Sequence, residues 1–204
     1  MAPLPAEFFT RATVEVARDL LGSLLRVRGD DGRWTAGRIV ETEAYGGEDD
    51  PASHAGRGRT PRSEIMFGAP GVAYVYLIYG VHHCLNIVTG AEGQAGAVLI
   101  RALEPFTGLA TMAQRRNVAA ETRLHQNLCN GPGKLCQALG IDLAWNGTPL
   151  TSERQPKNSN NQRILTIDSG PQPVVWQASP RIGITRATNR PHRFTDPQST
   201  CLSR

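Results

Sequence analysis

Residues 34–45 read Trp-Thr-Ala-Gly-Arg-Ile-Val-Glu-Thr-Glu-Ala-Tyr. The run is rich in β-branched and aromatic residues, and Arg38–Tyr45 alternates with the period of an extended strand. Alternation places Glu41, Glu43 and Tyr45 on one face. Two carboxylates and a tyrosine at a strand end that runs into a long loop make either a reaction site or a solvent-facing polar edge.

Outward from this stretch, Leu24–Val27, Gly71–Tyr79, Cys84–Thr89 and Ala97–Ala102 are also strand-like. Upstream, Phe8, Phe9, Val14, Val16, Ala17, Leu20, Leu21 and Leu24 mark an apolar helical face, with Thr13 available as its cap. Downstream, Pro105–Arg116 and Lys134–Leu139 read as helices, the second opened by Gly131-Pro132-Gly133. Thr151–Gln162 reads as a polar surface loop, and Val174–Trp176 and Arg181–Thr185 as late strands. Consecutive strands with helices at the start and middle predict an α+β fold with a largely antiparallel sheet. We expect a single domain over residues 1–204, with 1–7 and 195–204 as loose ends. No strand, glycine-rich turn and helix follow one another as a nucleotide-binding unit would require.

The composition agrees with one ordinary globular domain: 204 residues, 40% hydrophobic and 20% charged. The net charge of +4 is compatible with phosphate binding but also with many other enzymes. From Arg181 onward there are five arginines and one acid, Asp196, a basic tail that either follows a phosphate backbone or is simply solvated. Cys84, Cys129, Cys136 and Cys201 form no CxxC pair and no disulfide framework. The longest apolar stretch, Val72–Val81, is too short to span a bilayer, and no basic-then-apolar leader opens the chain. The expectation is a cytoplasmic protein with reduced thiols and no membrane partner.

Ala73-Tyr74-Val75-Tyr76-Leu77-Ile78-Tyr79-Gly80-Val81-His82-His83 reads as a hairpin. Tyr74 and Tyr76 share a face, while Tyr79 falls at the turn beside Gly80. The tyrosines either fill a core or stack on nucleobases. His82 and Cys84 are the only pair here that could ligate a metal together, and no second pair at ligand spacing follows. The long loop Gly46–Pro70 is dense in Gly, Pro, Asp and Arg, a composition and length more common at functional sites than elsewhere. Gly131-Pro132-Gly133-Lys134 lacks the length of a Walker loop, yet a helix start with a lysine can hold a single phosphate.

Taken together, GRIVETEAY (37–45), GRTPRSEIMF (58–67), AYVYLIYG (73–80), LIRALEP (99–105), GPGKLCQALGI (131–141) and RIGI (181–184) resemble the alkyladenine (3-methyladenine) DNA glycosylase family. FFTRATVEVARDLLG near the start also fits, so the resemblance runs from about residue 8 to about residue 194, in order. It implies a mixed domain with a curved sheet, a hairpin inserted into DNA, and no metal or organic cofactor. It also implies action on double-stranded DNA that contains damaged purines, and a monomer is the simplest expectation for an enzyme that tracks DNA. Glu43 would be the base that activates water, and Arg101 would orient it. Tyr45, His54, Tyr76, Asn86 and Leu99 would form the base pocket. Tyr79, flanked by Val81 and His82, would wedge into the duplex. Phosphate contacts are expected from Arg59, Arg62, Lys134 and Arg181.

Enzymes acting on a stacked base must first flip it out, and alkylated purines leave without help from a general acid. Only the resemblance chooses Glu43 over Glu41. The substrate range it implies is 3-methyladenine and 7-methylguanine, with hypoxanthine and ethenoadenine as further candidates. With no lysine in the matched pocket positions, no lyase step is expected. The chain departs from the family pattern at Val81, Gly46 and Thr195-Asp196-Pro197. Two other readings compete: an idle damaged-DNA-binding module, and a metal-dependent hydrolase using Glu41, Glu43, Asp49, Asp50 and His54.

Overall fold

The computed structural model describes residues 2–118, 125–150, 163–170 and 175–203, so the Thr151–Gln162 loop and Val174 lie outside the described residues. Strand β2 (Trp34–Tyr45) is the spine of the sheet. Its first half pairs with β1 (Leu24–Arg28), nearly its whole length with β5 (Ala97–Thr107), and Glu41–Glu43 with β8 (Arg193–Thr195). The strand order is β3 (Ala73–Ile78), β4 (His82–Val88), β5, β2, β1, β6 (Ile164–Asp168), with β7 (Gln177–Ser179) on β8, and every pairing is antiparallel. Register shifts between β2 and β5 at Ala36/Gly37, Ile39/Glu41 and Glu41/Thr42 are bulges, which bend the sheet.

Helix α1 (Ala6–Phe9) leads into α2 (Thr13–Asp19), which packs across β2 and β5 and buries Val16 and Ala17. Helix α3 (Leu109–Arg115) packs on α5 (Pro132–Leu139), and α4 (His125–Leu128) and α5 cover β5 and β4. Leu135 and Leu139 of α5 are fully buried, each contributing about 1.5–3 kcal/mol of burial. β2 is therefore shielded along nearly all its length, including both glutamates. The fold is α+β, as expected.

Five local readings need correction. The N-terminal apolar face is split into two short helices, and Thr13 is not a cap: its hydroxyl accepts from Thr89 Oγ1 at 3.0 Å. Residues 105–107 continue β5 instead of starting a helix: Pro105 pairs with Gly37 and Thr107 with Ala36, so Phe106 is the extra residue of a bulge in β5 itself. The turn into α3 comes at Gly108 (φ 74°), where a Cβ would lie 2.4 Å from the Trp34 carbonyl. Residues 181–185 form bends and no strand, and residues 175–176 precede the strand at Gln177. The ends are packed, since Leu4 N–H donates to Ile167 O (2.8 Å) and Ser203 N–H to Glu41 Oε2 (2.6 Å). The four cysteines are free and buried. Among the described residues no helix is long and apolar enough to cross a membrane.

Candidate active site

One row of the sheet carries much of the site. Glu43 on β2 lies opposite Leu99 on β5, Leu99 opposite Asn86 on β4, and Asn86 opposite Tyr74 on β3. Directly opposed residues share a face, so Leu99, Asn86 and Tyr74 form one wall, with Glu43 at the buried end of the row. The wall borders a cavity of about 650 Å³ whose lining includes Tyr45, His54, Tyr76, Asn86, Leu99 and Arg101.

Glu43 lies immediately behind that wall and is fully buried. Its Oε2 accepts from the Tyr45 hydroxyl (2.8 Å) and from Arg101 Nη1 (3.2 Å), and its Oε1 from the backbone N–H of Ile182 (2.7 Å). Glu41 is also fully buried but faces a different set of donors, Arg101 Nε at 2.9 Å, Arg193 Nε at 2.7 Å and Ser203. Only Glu43 is bonded to a residue of the cavity's aromatic wall, a distinction that strand periodicity could not supply.

The aromatic side of the cavity is a cluster. His54 stands edge-on to Tyr76 at 4.7 Å, and Tyr74 and Tyr76 are 5.3 Å apart. His54 Nδ1 is 2.8 Å from the Tyr74 hydroxyl. Burial, with help from the Arg62 charge, pushes the His54 pKa down to about 4, so the ring is neutral near pH 7. Burial raises the Tyr45 and Tyr76 hydroxyls well above the ordinary range, and both stay protonated donors. Asn86 Nδ2 donates to Tyr74 O at 3.2 Å, which fixes the amide in the wall.

At the cavity mouth the β3–β4 hairpin turns through Ile78–Val81, with a Val81 N–H to Ile78 O bond of 3.2 Å. Tyr79 and Gly80 have φ of 54° and 71°, the positive values a type I′ turn requires. Tyr79 is 84% exposed and Val81 69%. His82, also exposed, rests against the first turn of α5, where a Cβ on Gly133 would meet its ring at 3.1 Å.

The expected phosphate contacts divide. Arg181 is a correction: its side chain is completely buried, bidentate to Asp50 (2.6 and 2.7 Å), and 4.6 Å beneath the Tyr45 ring. Burial raises the Asp50 pKa, but bonds from Arg181 and the Gly46 and Ala52 amides outweigh it and leave the carboxyl below its ordinary value. Arg59 is exposed but paired with Glu64 at 2.7 Å, and Arg62 is exposed with its guanidinium 4.9 Å over Tyr76. Lys134 lines the cavity outside the matched base-pocket positions and donates to Asn130 Oδ1 at 2.8 Å. The basic tail is not a solvated strip: Arg193 serves Glu41 and Ser179, and Arg190 donates to Asp49 O at 2.7 Å.

Several residues escaped sequence reasoning. A polar notch of about 600 Å³ adjoins the cavity at His54 and Gly183 and is lined by Ser53, Arg57, Thr60 and Arg186. Arg57 and Arg186 are exposed and form no ion pair among the described residues. Ser203 carries site bonds without any motif of its own; Ile182 lies in the RIGI match and Asp50 in the metal-hydrolase set, but neither bond could be read from those, whereas Tyr74 was signalled by its alternation with Tyr76. The set proposed for a metal hydrolase is dispersed, since Asp50 is locked to Arg181, Glu41 to arginines, and the Asp49 side chain is 83% exposed. Among the described residues no group of three or more His, Cys, Asp or Glu is placed to hold a metal.

A family model described as methylpurine-DNA glycosylase matches residues 7–200. Relatives provisionally named 3-methyladenine DNA glycosylase include one from Methanocella arvoryzae, 46% identical over 100% of this chain and 97% of its own length. Another, from Methanoculleus marisnigri, is 48% identical over 98% of each chain. A third, from Carboxydothermus hydrogenoformans, is 46% identical over 94% of this chain and 93% of its own.

Proposed function

This chain belongs to the methylpurine-DNA glycosylase family and is a DNA repair enzyme; from that premise we propose that it flips alkylated purines out of duplex DNA and hydrolyses their N-glycosidic bond with water activated by Glu43. The observation that carries the reading is the bonding of Glu43. A carboxylate offers about four acceptor sites, and Tyr45, Arg101 and Ile182 fill three. The remaining one suits a water, at the edge of a cavity lined by tyrosines.

The cleavage balances without a general acid. Water adds to C1′ as the C1′–N bond breaks, and the bonding pair neutralises the cationic ring of a 3- or 7-methylated purine. Glu43 takes the water proton, leaving free base and an abasic site. The base stacks against Tyr45 and Tyr76, with Asn86 and Leu99 closing the wall. A neutral His54 adds no charge against a cationic base. With Nδ1 accepting from Tyr74, its Nε2–H is left to donate to an acceptor on the base. Tyr79 fills the gap in the duplex, with Val81 and His82 beside it. Arg57 and Arg186 in the notch, Arg59 and Arg62 on the neighbouring loop, and Lys134 at the cavity meet backbone phosphates.

Release of free base from methylated duplex DNA, with chelator present, tests the reading. Wild type should release 3-methyladenine and Glu43→Gln should not, while both bind a duplex containing an abasic-site analogue. Turnover by Glu43→Gln would move the base elsewhere, and loss of wild-type activity with chelator would revive a metal mechanism.

A further inference from the structure

Behind Glu43, the far end of the chain closes on the reacting group. Ser203 is buried, and its N–H donates to Glu41 Oε2 at 2.6 Å while its hydroxyl donates to Glu41 Oε1 at 2.7 Å. The same oxygen accepts from Arg101 Nη2 (3.0 Å) and Nε (3.2 Å). One proton and two lone pairs are thus all in use. The segment is held in place by Asp196 N–H on Val40 O (2.9 Å) and by Cys201, buried against Val40 and Ala102.

We infer that Ser203 is a positioning residue for glycosidic cleavage, acting through Arg101 and Glu41 on Glu43. A guanidinium is planar and rigid, so anchoring Nε and Nη2 fixes where Nη1 points. Here Nη1 points at Glu43 Oε2. Arg101 lies between two fully buried carboxylates that compete for its N–H groups. Ser203 gives Glu41 two donors of its own and so leaves Nη1 to Glu43. Without the hydroxyl, Glu41 draws the guanidinium away and the reacting carboxylate loses its alignment. The inference rests on the reading of Glu43 as the base.

The test measures single-turnover base release from methylated duplex DNA, affinity for a duplex with an abasic-site analogue, and thermal unfolding. Ser203→Ala should slow base release roughly tenfold or more, the effect of losing a hydrogen bond to charged groups. Its DNA affinity should stay at the wild-type level, and Ser203→Thr, which keeps the hydroxyl, should restore the rate. Wild-type turnover by Ser203→Ala overturns the inference. A parallel loss of rate, affinity and melting temperature that Ser203→Thr does not rescue overturns it too, by assigning Ser203 to packing alone. Should Ser203→Ala not fold, Ser203→Cys, a weaker donor of similar size, should give an intermediate rate, and wild-type turnover there sinks the idea. Glu43→Gln run alongside separates the cases: if it is dead while Ser203→Ala is unaffected, only this inference falls, and if it turns over, the reading of the site falls with it.

Discussion

The tip of the β3–β4 hairpin and the floor of the cavity are built on opposite physics. At the tip, Tyr79 and Val81 hold apolar surface in water, and Tyr79 adopts a left-handed backbone that L-residues avoid. At and beneath the floor, Arg101, which lines the cavity, and Glu41 and Glu43 behind it are withdrawn from water, and each charge is met by an opposite charge and hydrogen bonds. The tip contributes little to folding, so its residues answer to whatever they touch outside the molecule. The floor cannot be separated from the fold, because unpaired charges at that depth cost several kcal/mol. Recognition and chemistry should therefore respond differently to mutation.

The largest effect is expected on the floor. Glu43→Gln should lower single-turnover base release by about 10²–10⁴-fold, the range for losing a general base, with lesion-analogue binding retained. A combined loss of binding and rate would erase the distinction between floor and tip. Next comes the Asp50–Arg181 pair, which ties the 46–50 loop to the bend carrying Ile182. Asp50→Ala strands a buried guanidinium and should destabilise the protein by about 3–5 kcal/mol, measured by denaturant unfolding. A loss under about 1 kcal/mol, the level of a surface pair, would show the pair is not buried in solution.

At the tip, Tyr79→Gly should weaken lesion-analogue binding by about 1–3 kcal/mol through loss of a stacking partner. Because glycine accepts a positive φ, melting temperature should hold or rise. A fall in stability instead would mean that Tyr79 packs within the fold. His54 links the two regions through pH. Its folded pKa of about 4 lies below the ordinary 6.5, so the unfolded chain binds more protons between those values. Stability from this source is complete above about pH 6.5 and declines as the pH falls to about 4. In His54→Gln that part of the decline should vanish, and an unchanged pH–stability curve would remove the buried neutral histidine. The smallest effect belongs to the notch: Arg57→Ala or Arg186→Ala should each reduce the salt slope of DNA binding by about 1. An unaltered slope would leave phosphate contact to Arg59, Arg62 and Lys134.

What could be read from residues alone follows periodicity and punctuation. β2 was legible along its whole length, and so was the hairpin turn at Tyr79-Gly80, because alternation and glycine preference are local properties of the chain. Pro132 and Gly140 likewise bracket α5 with the usual start and stop signals. Misreadings arose where a neighbour in space overruled local preference. Residues 181–185 look like a strand, but the Ile182 N–H goes to Glu43 and the Arg181 side chain goes inward to Asp50. Residues 105–107 continue a strand because they pair with Ala36 and Gly37 across a bulge at Phe106, a place in a sheet where a proline is tolerated.

The same division holds for the site. By itself the sequence determined the residue types, two carboxylates and a tyrosine on one strand face, tyrosines on a hairpin, and the family motifs that join them. Only the tertiary structure decided which arginines are spent inside, which carboxylate meets the cavity wall, and that Ser203 lies against Arg101, 102 residues earlier in the chain. The physical reason is that strand and turn preferences are set by each residue's own backbone and immediate neighbours. The pairing of a buried charge is set by whichever partner the folded chain brings within about 3 Å, however distant that partner is in sequence.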